Sequence, residues 1–442
     1  MSKDEWAEEE GVTIDPLALD TSVPVLVLKV GNYPLHHGSL GVVRSLGRLG
    51  VPVYGVYEER FAPAAVSRYL SGKFVWRPNG QDVDRFLKGM AMVGERLGRP
   101  AVLIPTDDLG AILISEHAPT LASWFRFPQP PPGLAHQLAS KKGLYELCGK
   151  LGVPCPRMSF PTSHHDVEQF AATATFPVVV KAAEAWLLPA EARVKSTTIA
   201  HHPEELLALY RRLEDGSVGN LLLQEYIPRG SGEDWFFHGY ADARSECLVS
   251  FTGVKLRSYP PYAGSTTLGR CQDNQVLRGQ AEELLRTIGY RGIMDLDYRL
   301  DLRDGKYKLL DFNPRVGAQF RVFEDEAAVD VVRALHLDLT GRQVRRRPPA
   351  QGRVFVVEPS ELASSLVYRR AGDLDLRSWL ASLRGTHREA AWFARDDLAP
   401  FLLMCARFLL KGTRRALRLG QRRPRSAPAP RYVPRGRRGR RP

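Results

Sequence analysis

Few folds can accommodate residues 292–315, GIMDLDYRLDLRDGKYKLLDFNPR. In the first half Met294, Leu296, Tyr298 and Leu300 alternate with Asp295, Asp297, Arg299 and Asp301. That period of two puts successive side chains on opposite faces of a strand. In the second half Tyr307, Leu309, Asp311 and Asn313 share a face by the same rule. The turn between the halves decides which residues meet. A two-residue turn at Asp304-Gly305 pairs 297 with 312 and sends Asp311 to the wrong face. A three-residue loop, Arg303-Asp304-Gly305 with Gly305 left-handed, pairs Asp297 with Asp311. This register gathers carboxylates and an amide oxygen that repel one another unless a cation joins them. A hard divalent ion such as Mg²⁺ resolves the repulsion, and it characteristically shares its ligand shell with nucleotide phosphates. A solvated polar face is the plainer account of such alternation. It does not explain an acid-x-Asn that ends a strand and runs straight into Pro314-Arg315.

The rest of the chain divides by texture. Its 442 residues suffice for about three domains. Residues 1–22 form an acidic segment expected to be disordered. Within 23–137 the apolar runs VPVLVLKV, VPVYGVYE and AVLIP are interleaved with a helical pattern at Leu40, Val43, Leu46 and Leu49, which reads as a doubly wound α/β domain. Gly31, Gly38 and Gly41 do not spell GxGxxG, so tight turns are their expected purpose. FPQPPPG at 127–133 is a linker by composition, and a helix from Lys142 to Leu151 is expected to close on Gly152. Residues 138–341 carry short strands in hairpin-like groups, with helices near 203–213 and 275–288: α+β with a largely antiparallel sheet. Residues 342–410 read as a small mixed region with a final helix, and 411–442 as a basic disordered tail.

The net charge of +13 suggests nucleic acid until it is located. The 13 Lys and Arg of residues 411–442, with no acid among them, account for all of it. The tail is a solubilising segment or a tether to anionic lipid or nucleic acid. Before it, Phe401, Leu402, Met404, Cys405, Phe408, Leu409 and Leu410 precede Arg414, Arg415 and Arg418. That pattern suits a helix packed on its own protein or an amphipathic helix lying on an anionic membrane. Arg407 interrupts the apolar run well short of the roughly 20 residues a span requires. The N-terminus is acidic and lacks the apolar core of a secretory signal. The five cysteines (148, 155, 247, 271, 405) form no CxxC pair and read as reduced thiols. A cytoplasmic protein is expected, with peripheral membrane contact as an option.

Upstream of the acidic hairpin, FPVVVK ends an apolar strand on Lys181, whose ammonium suits a phosphate. LLLQEYIPRGSGED places Glu225 at a strand end before a Gly-rich turn, and VKLRSYPPYAGSTTLG offers Lys255 and Arg257 before a Gly/Ser/Thr loop. Each is a weak signal; their order is not. It resembles the ATP-grasp superfamily: a small α/β domain, a strand-end lysine, an acidic adenine hinge and a closing acid-x-Asn. Within it the chain is most similar to the carboxylate–amine ligase group that includes D-aspartate ligases, through LGRLGVPVYGV, ELCGKLGVPCP, VVVK, LLLQEYIPRGSGED and LLDFNPR.

The resemblance implies an ATP-grasp architecture: a Rossmann-like pre-ATP-grasp domain, an antiparallel-sheet ATP-grasp domain and a small C-terminal mixed region. It also implies ATP and Mg²⁺ (or Mn²⁺) as cofactors. Lys141 and Lys181 would contact the ATP phosphates. Glu225, Tyr226 and Ile227 would be the adenine hinge, with Glu233 or Asp234 on the ribose. Asp297, Asp311 and Asn313 would hold the metal, and Lys255, Arg257 and Arg315 would face the γ-phosphate or an acyl phosphate. The chain departs from the pattern in three places. The lid KAAEAWLLPAEARVKSTTIA has no glycine and offers Lys195 instead; Asp295 stands where some relatives have Arg; Asp311 replaces the commoner Glu. The function implied is an ATP-dependent ligase joining a small carboxylate to an amine. The alternatives are another acyl-phosphate chemistry such as carboxylation, a nucleotide-binding pseudoenzyme, or a regulatory scaffold tethered by its tail.

Overall fold

The computed structural model describes residues 18–420, apart from 79, 184–197, 214–219, 229–233 and 262–263, and gives the backbone alone for 212–213 and 411–420. Five parallel strands form the first sheet: β1 (Val25–Leu28), β2 (Val53–Tyr57), β3 (Leu70–Val75), β4 (Ala101–Pro105) and β5 (Phe125–Arg126), in the order β3-β2-β1-β4-β5. Every β1 residue is buried because both faces are covered. Val25 and Val27 join the cluster of Leu40, Val43 and Leu46 from the helix His37–Gly47. Leu26 and Leu28 join that of Phe86, Met90 and Val93 from the helix Val83–Leu97. This is the doubly wound layer expected from the apolar runs. Where its strand order reverses, Asp107 accepts hydrogen bonds from the Val30 and Gly31 amides (3.0 and 2.6 Å) and caps the helix Asp108–Glu116.

A second, antiparallel sheet contains β6 (Met158–Ser159), β7 (Val178–Ala182), β8 (Thr198–Ala200) and β9 (Leu221–Glu225), ordered β6-β9-β7-β8. The helices His164–Thr173 and Pro203–Leu213 back it through Val167, Phe170, Leu206 and Leu209. Leading into it is the helix Lys141–Leu151, capped by the Ser140 side chain and closed by Gly152 at φ 68°, as its sequence requires.

The third sheet is the largest: β10 (Asp234–Ala241), β11 (Cys247–Tyr259), β12 (Ser265–Cys271), β13 (Gly292–Asp301), β14 (Lys306–Asn313), β15 (Val354–Val356) and β16 (Arg388–Ala390), ordered β14-β13-β10-β11-β12-β15-β16. All its pairings are antiparallel except β15–β16. Residues 342–410 therefore continue the central sheet rather than standing apart. They are also fastened to the first layer: buried Arg44 pairs with Asp397 at 3.0 Å and donates to the Trp392 carbonyl. The terminal helix Ala399–Gly420 buries Met404 in the same core, with Phe401 and Cys405 packed against it. Among the described residues no helix is long and apolar enough to cross a membrane.

The acidic hairpin forms with Asp297 opposite Asp311 and Asp295 opposite Asn313, but not by the expected turn. The loop holds four residues, 302–305, closed by the pair Asp301–Lys306, with Gly305 left-handed at φ 67° and its amide donating to the Asp301 carbonyl at 2.8 Å. That closure alone would pair 297 with 310. A β-bulge between Leu309 and Asp311 inserts one residue and restores the 297–311 register. Tyr307 and Leu309 thus do not share a face with Asp311 and Asn313. Leu309 and Phe312 join Met294, Leu296 and Tyr298 in a core with Leu277, Ala281 and Leu285 of the helix Gln275–Thr287. The opposite face carries the acids.

Candidate active site

A cavity of about 350 Å³ opens between the acid-bearing face of the third sheet and the second sheet. Strand alternation aims Lys181 of β7 and Gln224 of β9 into it, followed by Tyr226 and Ile227. The third sheet contributes Lys255, Asp297, Asp311 and Asn313. Lys141 enters from the first turn of its helix, and Asp108 from the parallel layer.

Two of the three lysines inside are ion-paired. Lys141 pairs with Asp311, and Lys255 pairs with Asp297 at 2.9 Å. Burial alone would raise the Asp311 carboxyl, but Lys141 and Lys181 outweigh it and hold the group below its ordinary value. Asp297 goes the other way: burial raises it, Asp295 and Asp311 add to the rise, and Lys255 only partly opposes them. Among the described residues Lys181 pairs with no carboxylate. Its ammonium donates to Gln224 Oε1 at 3.0 Å, and burial together with nearby Lys141 lowers its pKa to about 8. A buried ammonium so depressed is poised for an anion.

The carboxylate set suits a hard cation. Asp297 Oδ1 is buried and accepts no well-aligned hydrogen bond, and Asp311 and the Asn313 amide stand on the same face. Among the described residues no three His, Cys, Asp or Glu side chains group as metal ligands. Two carboxylates and an amide are the kind of partial oxygen set that Mg²⁺ accepts, since it usually keeps water or phosphate oxygens in its remaining positions.

Three expected residues are placed differently. Arg257 is 5% exposed and points away from the cavity, its guanidinium 2.6 Å from Glu361 and 2.8 Å from Ser382 Oγ. The reason is a second bulge. Lys255 pairs with Gly269 and Arg257 with Leu268, so the extra residue Leu256 reverses alternation and Ser258 lines the cavity instead. Glu225 likewise turns its carboxylate to the far side of β9, where it pairs with Arg303 at 2.6 Å and accepts from the Arg157 amide; Gln224 is the cavity-facing neighbour. Arg315 sits behind Asn313, donating to its Oδ1 at 2.9 Å and held by Asp108 and Asp295, both at 3.1 Å. Asp295 in turn meets fully buried His238 at 3.0 Å. Asp234, the alternative ribose ligand, lines the cavity and pairs with Arg299 at 2.6 Å. Glu233 and Lys195 lie outside the described residues. Gln224 and Asp108 escaped the sequence reading. A polar residue inside LLLQE was the available sign of the first; nothing local marks the second.

Three layers in this order, with a strand-end lysine facing an acid-x-Asn strand across a cavity, are the ATP-grasp fold. The chain is 27% identical over 226 residues to D-aspartate ligase of Enterococcus faecium (strain Aus0004), a match covering 49% of this chain and 53% of that enzyme. The chain thus spans about half the length of that curated relative. Among solved structures it superposes on a biotin carboxylase–βγ-ATP complex from Campylobacter jejuni with a TM-score of 0.56 at 12% identity, covering 75% of this chain and 74% of the other. An L-amino acid ligase from Bacillus licheniformis gives 0.54 at 13% identity, covering 72% and 74%. No protein-family model matches the chain.

Proposed function

We propose that this chain is an ATP-dependent carboxylate–amine ligase. The observation that carries the reading is the single cavity in which Lys141, Lys181 and Lys255 face Asp297, Asp311 and Asn313. The similarity to a D-aspartate ligase supports the reaction class. In this reading a substrate carboxylate oxygen attacks the γ-phosphorus of ATP, the bond to the ADP oxygen breaks, and an acyl phosphate forms. An amine nitrogen then attacks the acyl carbon, inorganic phosphate leaves, and the nitrogen loses a proton to give the amide. Mg²⁺ held by Asp297, Asp311 and Asn313 would spread the charge of the transferring phosphoryl group. Lys141 and Lys181 bind the phosphates, and Lys255 steadies the charge at the reacting end. Tyr226 and Ile227 wall the adenine, with the backbone of 225–227 as its hinge and Glu233 or Asp234 on the ribose. Arg315 acts through Asn313, whose amide it holds, while Arg257 has no part in the chemistry. Catalysis comes from positioning and charge, not a covalent nucleophile.

The test is ADP formation screened over pooled amino acids and small acids, with hydroxylamine as trap. A hydroxamate identifies the activated acid. ATP binding by calorimetry without any turnover would instead make the chain a pseudoenzyme. For its place in the cell, we infer peripheral contact with anionic lipid. The terminal helix exposes Leu402, Leu409 and Leu410 (61, 72 and 59%) just ahead of the Arg-rich tail. Co-sedimentation with phosphatidylglycerol vesicles, but not neutral ones, is expected; binding to neither ends this inference.

A further inference from the structure

A second cavity, about 180 Å³, adjoins the first and shares Ser265 with it. It lies where the β11–β12 hairpin meets the parallel layer, through Leu35 and His37, and the terminal helix, through Phe408. Four aromatic rings line it, His37, Tyr259, Trp392 and Phe408, together with Leu35, Val357 and Pro359. Among the described residues no Asp, Glu, Lys or Arg lines it. His37 does not supply a charge either. Its Nδ1 is 3.1 Å from the Ala318 carbonyl oxygen, and burial, with Arg321 nearby, pushes its pKa down to about 4. One polar atom in the wall is left over: Thr266 is 9% exposed, and its buried hydroxyl makes no hydrogen bond.

A charged side chain moved into such a site would lose its hydration with nothing to replace it, whereas an apolar or aromatic group gains by leaving water. We propose that this cavity is a substrate subsite that receives an uncharged, apolar or aromatic group attached to the substrate whose reacting end lies beside Ser265. The proposal rests on the ligase reading and narrows it. It sets this chain apart from a ligase selecting an acidic side chain, because nothing in the wall neutralises a second carboxylate. The buried Thr266 hydroxyl suits one neutral polar atom near the base of the group.

Amino acids are the natural probes, since each offers both a carboxylate and an amine and they differ only in the group the subsite would receive. ADP release and hydroxamate formation are measured for both enantiomers of leucine, phenylalanine, methionine, aspartate and glutamate. The expected result is a kcat/KM at least about tenfold higher for an apolar member than for either acidic one, the scale a hydrophobic pocket provides. Ser360→Trp, which fills the cavity from its wall, should raise KM for the apolar amino acid about tenfold or more and leave KM for ATP unchanged. If that variant does not fold, Phe408→Ala removes the outer wall from a half-exposed helix position and should raise the same KM. Preference for aspartate or glutamate, or an unchanged KM in the folded variant, overturns the subsite while leaving the ligase intact. Absence of ADP with every acid overturns both.

Discussion

Two of the bulges in the third sheet, one in β14 and one in β11, have opposite consequences. In β14 the bulge at Leu310 turns Asp311 and Asn313 into the cavity and frees Leu309 and Phe312 for the core. In β11 the bulge at Leu256 turns Arg257 out of the cavity and into an ion pair with Glu361, which also accepts from Thr267 Oγ1 and Trp379 Nε1. One irregularity aligns charged residues for chemistry. The other withdraws one for structure. A polar residue's position along a strand is thus poor evidence of role until the register is known.

The sharpest test of this contrast is on β14. Asp311→Ala and Asn313→Ala should each lower ATP turnover by on the order of 10³-fold, because each removes an oxygen ligand of the metal that would neutralise the reacting phosphate. Circular dichroism should remain that of the unaltered chain in both. The melting temperature should change least in Asp311→Ala, whose side chain faces the cavity, whereas Asn313 is buried and hydrogen-bonded to Asp295 and Arg315. Full ADP formation by either variant would remove the metal-binding role.

The second test sets two arginines against each other. Arg257→Ala leaves Glu361 buried without its cation, a loss of about 3–5 kcal/mol. The melting temperature should fall by roughly 5–10 °C while KM for ATP stays within about twofold. Arg315→Ala, which also takes a partner from buried Asp295, should in addition cost turnover about 10²-fold through the slack left in Asn313. Matching losses of activity in both would mean that Arg257 reaches the reaction after all.

The sequence made the architecture legible wherever a pattern was local. The apolar β1 run, the capped helix closing on Gly152 and the alternation of 292–301 all appear as read. The pairing of Asp297 with Asp311 was also read, but through a loop one residue too short, an error the bulge cancels. Strict alternation does not foresee a bulge, so the expectation for Arg257 falls on the wrong face. The clue was present in β14. Tyr307, Leu309, Asp311 and Asn313 are a poor common face, because two want a core and two want water. Contacts between distant segments left no trace at all. Asp108 on Arg315, the union of β15 with β12, and Trp392 beside His37 depend on how layers meet, which periodicity does not encode.

The smallest effect is expected from pH. Lys181 binds phosphate as an ammonium, and with burial and Lys141 setting its pKa near 8, the charged fraction falls as pH rises from 7 to 9. KM for ATP should climb several-fold over that interval, while kcat changes less, because a bound triphosphate raises the lysine's pKa again. Lys181→Arg, with a guanidinium that stays protonated, should flatten the profile. The same shift acts on folding with the opposite sign. An unfolded chain keeps this proton up to about 10.5, so between 8 and 10.5 it binds more protons than the native state, and Lys181 makes the free protein more stable as pH rises. A rising KM in a protein whose melting temperature does not fall over pH 8–9 therefore locates the effect at the phosphate site rather than in partial unfolding. A flat KM from pH 7 to 9 would mean that Lys181 does not carry phosphate charge, and the strand-end lysine of β7 would belong with Arg257 among the residues whose charge serves the fold.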